Sequence, residues 1–202
     1  MPTETQSVTG QRLLVRADGR AVPAVVIDAN SDPLPTVGGA SEAHLGEVGG
    51  RIIRSAPASL PATSTTAYAS GDALGAKMQL AGALRVAGGS GYLQDLTVAL
   101  KTAGLTAALD AILFRADPAA STVTDNAAAV VAAADLDKVI GVVSLTRITN
   151  LGGGTLYEAN QLARSIKLSA GQDIWLALVW RGAPTLGSVA DLAAVSANVA
   201  VD

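Results

Sequence analysis

The sequence predicts an all-β protein whose antiparallel strands pack as a sandwich, with one short helix and an extended N-terminal arm or stalk. From residue 51 onward, apolar and polar residues alternate with a period of two, as in half-buried strands. Glycine and proline turn signals separate these segments at the spacing of a sandwich or barrel. Strands and helices do not alternate along the chain, which argues against doubly wound α/β folds and TIM barrels. We therefore expect about eight to ten strands in a jelly roll.

The N-terminal quarter differs in kind from the rest of the chain. Residues 1–50 contain no aromatic residue, and turn-forming residues break their short apolar pieces, such as 13–15 and 24–27. Such a segment cannot bury enough apolar surface to offset a backbone entropy of about 1 to 2 kcal/mol per ordered residue. We predict an arm or stalk over 1–50, ordered by other chains, and a sandwich over 51–202. A flexible linker is the alternative interpretation of the arm.

Individual strands follow from the alternation. Residues 92–101 place a mostly apolar face against a mostly polar one, and residues 195–202 do the same, so the sequence ends inside a sheet. Residues 139–145 and 174–180 are apolar on both faces, which is typical of central strands covered on each side.

One stretch predicts a helix. Asp125 is a suitable N-cap, and residues 126–134 are rich in alanine, the best helix former. Asp135 and Asp137 would oppose the helix dipole at the far end, so the helix is expected to end near Ala134.

Composition excludes several classes of function. The chain has 202 residues, with 14 basic and 17 acidic side chains and a net charge of -3, so no broad positive field exists to hold nucleic acid or an anionic membrane. It has no cysteine, which excludes disulfides, thiol catalysis and thiolate zinc sites. The apolar run 127–134 is far shorter than the roughly 20 residues of a membrane span, and residues 1–12 lack the pattern of an export signal.

No catalytic residue is predicted. His44 is the one histidine, and its neighbours Glu42 and Glu47 are equally explained as a solvated acidic turn. A threefold axis could bring three copies of His44 together, but nothing in the sequence supports that arrangement. Asp95 and Asp110 could act as a glycosidase pair only if the fold brought them close.

No cofactor or metal site is predicted either. Residues 71–77 have the wrong glycine-to-lysine spacing for a phosphate loop, and residues 89–91 are better interpreted as a turn than as a nucleophile elbow. Four aspartates could bind calcium if their loops converged, but they do not match the EF-hand spacing and are expected to cap and solvate: Asp117, Asp125, Asp135 and Asp137.

Two tryptophans stand five residues apart, so within one strand Trp175 and Trp180 point to opposite faces. One is expected to fill the core. The other would lie under a loop or at a subunit contact, or would stack on a sugar; Tyr157 is the second candidate for sugar stacking.

Several segments together resemble a recurrent class of tailed-bacteriophage virion proteins. They are 66–75 (TAYASGDALG), 89–93 (GSGYL), 114–118 (FRADP), 124–127 (TDNA) and 171–184 (GQDIWLALVWRGAP). The resemblance spans about residues 60 to 200 and consists of turn and strand signatures without catalytic residues. Residues 1–50 depart most from the pattern.

The resemblance implies a structural role at the capsid surface of a virion, after synthesis in the host cytoplasm. The chain would be a jelly-roll knob, usually a homotrimer, that decorates or stabilises the head or forms a short head fibre. Residues 1–50 would then engage the major capsid protein or a fibre base. Gly71 and Gly91, with Tyr68 and Tyr92 beside them, would be architectural: the glycines permit backbone angles that a Cβ disfavours.

Two other functions stay open at this point. A tail-associated receptor-binding tip would recognise a host glycan through Trp175 or Tyr157. An enzyme acting on a surface polymer would need a clustered pair of carboxylates in a deep groove. Neither nucleic acid nor a membrane is expected as a partner.

Overall fold

The computed structural model describes residues 3–6, 12–15 and 51–201. The chain divides into two units, Met1–Gly49 and Gly50–Asp202. In the first unit, strands β1 (Thr3–Gln6) and β2 (Arg12–Val15) form a two-stranded antiparallel sheet. The rest of the predicted arm over 1–50 lies outside the described residues.

The second unit contains two antiparallel sheets. The larger has six strands in the order β3-β12-β5-β9-β8, with β10 also paired to β5, and the smaller has the order β4-β11-β6-β7. A 3-10 helix spans Ala133–Lys138, and no helix in the described part of the chain is long and apolar enough to cross a membrane. The strands are β3 (Arg51–Ser55), β4 (Met78–Leu80), β5 (Ser90–Leu100), β6 (Leu109–Phe114), β7 (Val139–Leu145), β8 (Arg147–Asn150), β9 (Thr155–Ala159), β10 (Arg164–Lys167), β11 (Ile174–Trp180) and β12 (Leu192–Val201).

The strand order is that of a rolled antiparallel ribbon. β6 pairs with β7, β5 with β10, β4 with β11 and β3 with β12. Successive pairs belong alternately to the smaller and the larger sheet, so the ribbon wraps around one core. The β8–β9 hairpin lengthens the larger sheet beside β5. The predicted jelly-roll sandwich is confirmed.

Trp180 lies in the core between the sheets. It is fully buried, and its ring centroid lies 6.0 Å from that of Tyr68 and 5.9 Å from that of Tyr157. Its Nε1 has no hydrogen-bond partner among the described residues, so packing holds this side chain. One tryptophan therefore fills the core, as predicted.

The predicted alternation holds in β12 and changes phase in β5. Val195, Val199 and their alternate neighbours in β12 are buried as expected. In β5 the pairing with β12 shifts register between Asp95 and Leu93, which makes Gln94 a bulge. Leu93 therefore faces the core while Tyr92 is exposed, although the sequence pattern placed Tyr92 on the apolar face.

Of the two segments predicted to be central strands, one is central. β11 lies between β4 and β6 and is buried along almost its whole length. The prediction is wrong for β7, which is an edge strand with an exposed Val142. Arg164 donates to the carbonyls of Ile140 and Val142, so a cation from the larger sheet covers part of this open edge.

The predicted helix over 126–134 is wrong. The Asp125 carboxylate accepts hydrogen bonds from the Tyr68 hydroxyl and the Gly75 amide, so it does not cap a following helix. Asn126 has φ 53, and backbone bonds join residues 126–130 to residues 71–73 and to Thr122. These tertiary partners override the alanine propensity. The helical turn forms later, at Ala133–Lys138.

The connection between β6 and β7 crosses the outer face of the smaller sheet. It leaves β6 at Phe114, and Asp117 then meets Lys77, which precedes β4 on the far side of β11. Phe114 and Ala177 are fully buried although neither belongs to the core between the sheets. The sheet therefore has a second, smaller buried layer outside it.

Gly71 and Gly91, which the sequence predicts to be architectural, are required for different physical reasons. Gly71 has φ +100, a conformation that favours glycine, as predicted. Gly91 has no such angle; a Cβ there would lie 2.7 Å from the carbonyl oxygen of Ala200 and 3.1 Å from Leu84. Close strand packing, and not a special angle, therefore requires glycine at position 91.

We expect Gly91→Ala to lower the free energy of unfolding by about 1 to 3 kcal/mol, because the methyl group would force β5 and β12 apart. Gly153→Ala is the matched control, since a Cβ there would meet nothing within 4 Å and the φ of Gly153 is not in the left-handed region. It should change stability by less than about 0.5 kcal/mol. Urea unfolding of both variants measures the difference, and equal losses would contradict the packing account.

Candidate functional site

Buried carboxylates join distant parts of the chain. Asp191 accepts hydrogen bonds from the amide and the hydroxyl of Thr102, at 2.9 and 2.6 Å. Its own amide donates to the hydroxyl of Thr63, which in turn donates to the carbonyl of Ser188. Asp191 is 1 % exposed; its carboxylate fastens the loop at Thr102, and its amide fastens the loop at Thr63, at one end of the sandwich.

A second carboxylate, that of Asp125, also joins distant segments. Asp125 Oδ1 accepts from the Tyr68 hydroxyl at 2.8 Å and from the Gly75 amide at 2.7 Å. Burial, with Asp125 adding to it, raises the pKa of Tyr68 well above its ordinary value. Burial alone raises the pKa of Tyr157. Both phenols therefore stay protonated and act as packing groups and hydrogen-bond donors.

A third cluster fixes the crossing connection. Asp135 accepts from Ser121 at 2.7 Å and from Lys138 at 2.7 Å, and Lys138 also donates to the carbonyl of Asp117. The hydrogen bonds from Lys138 and Ser121 hold the pKa of Asp135 below its ordinary value, and the hydrogen bond to Asp135 raises the pKa of Lys138. Three of the four aspartates considered for calcium, Asp117, Asp125 and Asp135, thus anchor the connection, whereas Asp137 is exposed.

The carboxylates considered for chemistry are not brought together. Asp95 accepts from Asn198 on the outer face of the larger sheet, and Asp110 pairs with Arg181 on the outer face of the smaller one. The core lies between them, so they cannot flank one glycosidic bond. Among the described residues no three histidine or acidic side chains could hold a metal ion.

The remaining candidates from the sequence are His44 with its acidic neighbours and the loop at 71–77. His44 lies outside the described residues, as do Glu42 and Glu47. Residues 71–74 run beside the end of β11, where the amides of Gly71 and Leu74 donate to the carbonyls of Trp180 and Leu178. The loop at 71–77 is therefore an extension of the sheet.

An open groove of about 390 Å³ lies on the outer face of the smaller sheet, where its cover ends. Trp175 lies in it, partly exposed, on the strand face opposite to that of Trp180. The second tryptophan therefore lines an open groove beside a loop, with one part exposed to solvent; contact with another subunit or with a sugar stays a prediction. The groove is lined by residues of the 57–61 loop, β4 and β11, among them Pro57, Ser59, Pro61, Lys77, Gln79 and Trp175.

The polar side chains of this groove are held in place. Lys77 Nζ lies 2.5 Å from Asp117 Oδ1 and 5.5 Å from the centroid of the Trp175 ring. Gln79 donates to Asp173 Oδ2 at 2.6 Å, and the Gly82 amide donates to the other oxygen of Asp173 at 2.8 Å. The groove thus presents an indole, an oriented amide and a neutralised ammonium group.

One wall of the groove depends on Gly75. A Cβ at this position would lie 2.5 Å from the ring of Pro61, so only glycine lets the 57–61 loop approach β4. Trp175 is a site residue that the sequence predicts, whereas this loop, Gln79 and Asp173 were not predicted as site residues. The two prolines at 57 and 61 mark a stiff segment, yet nothing local says that it lies beside Trp175.

We expect only one of the two tryptophans to react with an aqueous oxidant. N-bromosuccinimide should modify Trp175, which is partly exposed, before Trp180, which is fully buried. Peptide mass mapping after partial oxidation locates the added oxygen, and acrylamide quenching of Trp175→Phe against the parent chain gives an independent measure. Equal reactivity at both positions would contradict the difference in burial between the groove and the core.

We expect Asp135→Asn to reduce the fall in melting temperature that occurs as the pH is lowered into the acid range. Because the native pKa of Asp135 lies below 3.8, its stabilisation is complete above that pH and is lost as the pH falls through the lower native value. Lys138 has a raised pKa, so its contribution is complete below 10.5 and is lost only as the pH rises through the raised value.

The measurement is the melting temperature between about pH 2 and 6. Asp137→Asn is the control, because it removes the same formal charge from an exposed residue two positions away. If the melting temperature of Asp135→Asn falls with decreasing pH as steeply as that of the parent, this carboxylate is not a pH-dependent anchor.

No protein-family model, curated protein or solved structure matches this chain. Its function must therefore be inferred from its own residues and contacts.

Proposed function

We propose that this chain is a structural protein of a tailed-bacteriophage virion, which decorates or stabilises the capsid or forms a short head fibre. In this proposal it acts as a homotrimer and not as an enzyme, residues 1–50 attach it to the major capsid protein or to a fibre base, and the sandwich projects from the surface. It takes no cofactor and binds neither nucleic acid nor a membrane.

One observation carries the proposal: the acidic side chains that could do chemistry are used to fasten loops. Asp191, Asp125 and Asp173 each accept from a backbone amide of a distant segment, and Asp135 anchors the crossing connection. A charge-assisted bond from a buried carboxylate to an amide stabilises a loop and occupies the oxygen that catalysis would need. This use of charge favours a building block over an enzyme.

The outer face of the larger sheet supports self-association. Ile52 is 62 % exposed and Tyr92 49 % exposed, and the register aligns them on either side of Ala200 across β3, β12 and β5. Arg54 lies along β3, and Asp95 lies on β5. Arg54 and Asp95 carry opposite charges on the same face of the sheet. Arg54 at the β3 edge of one copy can therefore pair with Asp95 on β5 of the next. Such a head-to-tail contact can close into a ring of three.

We expect the full chain to sediment as a trimer and Ile52→Lys to shift it towards monomer, because a charge would replace the exposed apolar side chain at the contact. Val189→Lys is the control, since Val189 is similarly exposed but precedes β12 in a loop. Sedimentation equilibrium or native mass spectrometry gives the mass. A chain that stays monomeric, or that dissociates equally in both variants, would contradict this contact.

Attachment to the capsid is tested by whether the chain travels with capsid particles. The chain is co-expressed with a major capsid protein of a tailed bacteriophage, and the particles are separated on a density gradient. The full chain should travel with the particles, whereas a chain lacking residues 1–50 should stay at the top with the β-rich circular dichroism of the sandwich. A truncated chain that still travels with particles would place the attachment surface in the sandwich, and a full chain that never does would overturn the capsid proposal.

A receptor-binding tip is the second candidate, and one observation favours keeping it. Tyr157 is fully buried and cannot stack on a ligand, but Trp175 lines an open groove. An enzyme has no comparable support, because Asp95 and Asp110 lie on opposite faces of the sandwich.

A further inference from the structure

We infer that the Trp175 groove is a binding site for a neutral sugar, such as one pyranose unit of a surface polysaccharide. The inference does not depend on capsid attachment, since the groove lies on the smaller sheet and its described lining residues belong to the second unit.

The indole of Trp175 forms the floor of the groove, in a chain that has few aromatic residues. Aromatic residues make up 3 % of the sequence. Tyr68, Phe114, Tyr157 and Trp180 are buried, and Tyr92 lies on the open outer face of the other sheet. Trp175 is thus the aromatic side chain that stands in a concave site. An indole face suits the C–H face of a pyranose ring, which is apolar while its rim carries hydroxyls.

The walls supply the polar contacts that hydroxyls need. The Gln79 amide is oriented by Asp173, which the Gly82 amide holds in turn, so this group is in position before a ligand arrives. Ser59 adds a hydroxyl on the opposite wall, and Lys77 adds a donor beside the indole. A planar amide that offers both a donor and an acceptor can bind a sugar hydroxyl in either role.

The charge of the groove selects a neutral ligand. Asp117 lies 2.5 Å from the Lys77 ammonium and neutralises it, and Asp173 places a carboxylate behind Gln79. A phosphate, sulfate or sialic acid would therefore meet no unpaired cation among the described residues that line the groove. A nucleotide could stack its base on Trp175, but its phosphates would lack a partner.

The size and rigidity of the groove fit one or two sugar units. Its volume of about 390 Å³ lies near the lower end of the range for small-molecule sites. The 57–61 loop contains two prolines and rests against Gly75, so this wall is stiff. A proline-rich peptide fits less well, because such peptides dock between several aromatic side chains and this groove has one.

The test uses the full chain and saturation-transfer NMR with glucose, galactose, mannose and N-acetylglucosamine, alongside glucuronic acid and sialic acid, followed by a glycan array. We expect transfer to at least one neutral sugar, strongest at its ring C–H protons. Trp175→Ala should weaken binding by about tenfold or more, and Gln79→Ala by a smaller factor. Leu151→Ala, which removes an exposed apolar residue from the β8–β9 hairpin of the other sheet, should leave binding unchanged.

A second measurement needs no variant and covers the case in which Trp175→Ala does not fold. The bound sugar should protect Trp175 from acrylamide quenching and from oxidation by N-bromosuccinimide, with the same concentration dependence as the NMR signal. Trp180 should be unaffected, since it is buried with or without ligand.

Several results would overturn the inference: no neutral sugar bound in solution or on the array, a preference for the anionic sugars, binding that survives Trp175→Ala, or a proline-rich peptide that protects Trp175 where sugars do not. Particle attachment by Trp175→Ala is a separate readout and should equal that of the parent. A full chain that binds a neutral sugar but never travels with particles would count against the capsid proposal alone, and a full chain that travels with particles but binds no sugar would count against the sugar site alone.

Discussion

The need to cover β11 on both faces governs the rest of the second unit. Leu176, Leu178 and Trp180 face the larger sheet, while Ala177 and Val179 point away from it and are buried as well. A strand of this kind is stable only between two layers. The larger sheet is one layer; the connection after Phe114, tied to Lys77 through Asp117, provides the other. Burial of one large aromatic ring alone stabilises by about 4 to 6 kcal/mol, so leaving either face bare would be costly.

The carboxylate anchors are needed because the segments that cover the sheet have an irregular backbone. Segments such as 68–75 and 115–138 lack long regular ladders, so their amides need partners from elsewhere. Asp125 supplies one to Gly75, and Asp191 supplies another to Thr102. A buried amide left unpaired costs about 1 to 3 kcal/mol, which is comparable to what each anchor contributes. Acidic residues that look like candidate ligands in the sequence are therefore explained by the irregular backbone around them.

How far the sequence predicts this structure depends on whether a signal is local. The period of two in β12 and the doubly apolar β11 are local, and both predictions hold, as does the sandwich that they imply. The bulge at Gln94 depends on pairing with Val199 and could not be predicted from β5 alone. The stretch 126–134 has every local sign of a helix, yet Asp125 bonds to Tyr68, 57 positions away. For the site, the opposite faces of Trp175 and Trp180 were predictable, but the 57–61 loop beside Trp175 was not.

The groove exists because the outer cover is incomplete. Gln79, Trp175 and Phe114 pair across β4, β11 and β6, so they form one row on the outer face of the smaller sheet. The connection buries Phe114 at one end of the row, whereas Gln79 is exposed at the other and Trp175 is intermediate. A tryptophan at position 175 keeps a large apolar surface beside water, and the proposed sugar platform would give that surface a function that folding alone does not require.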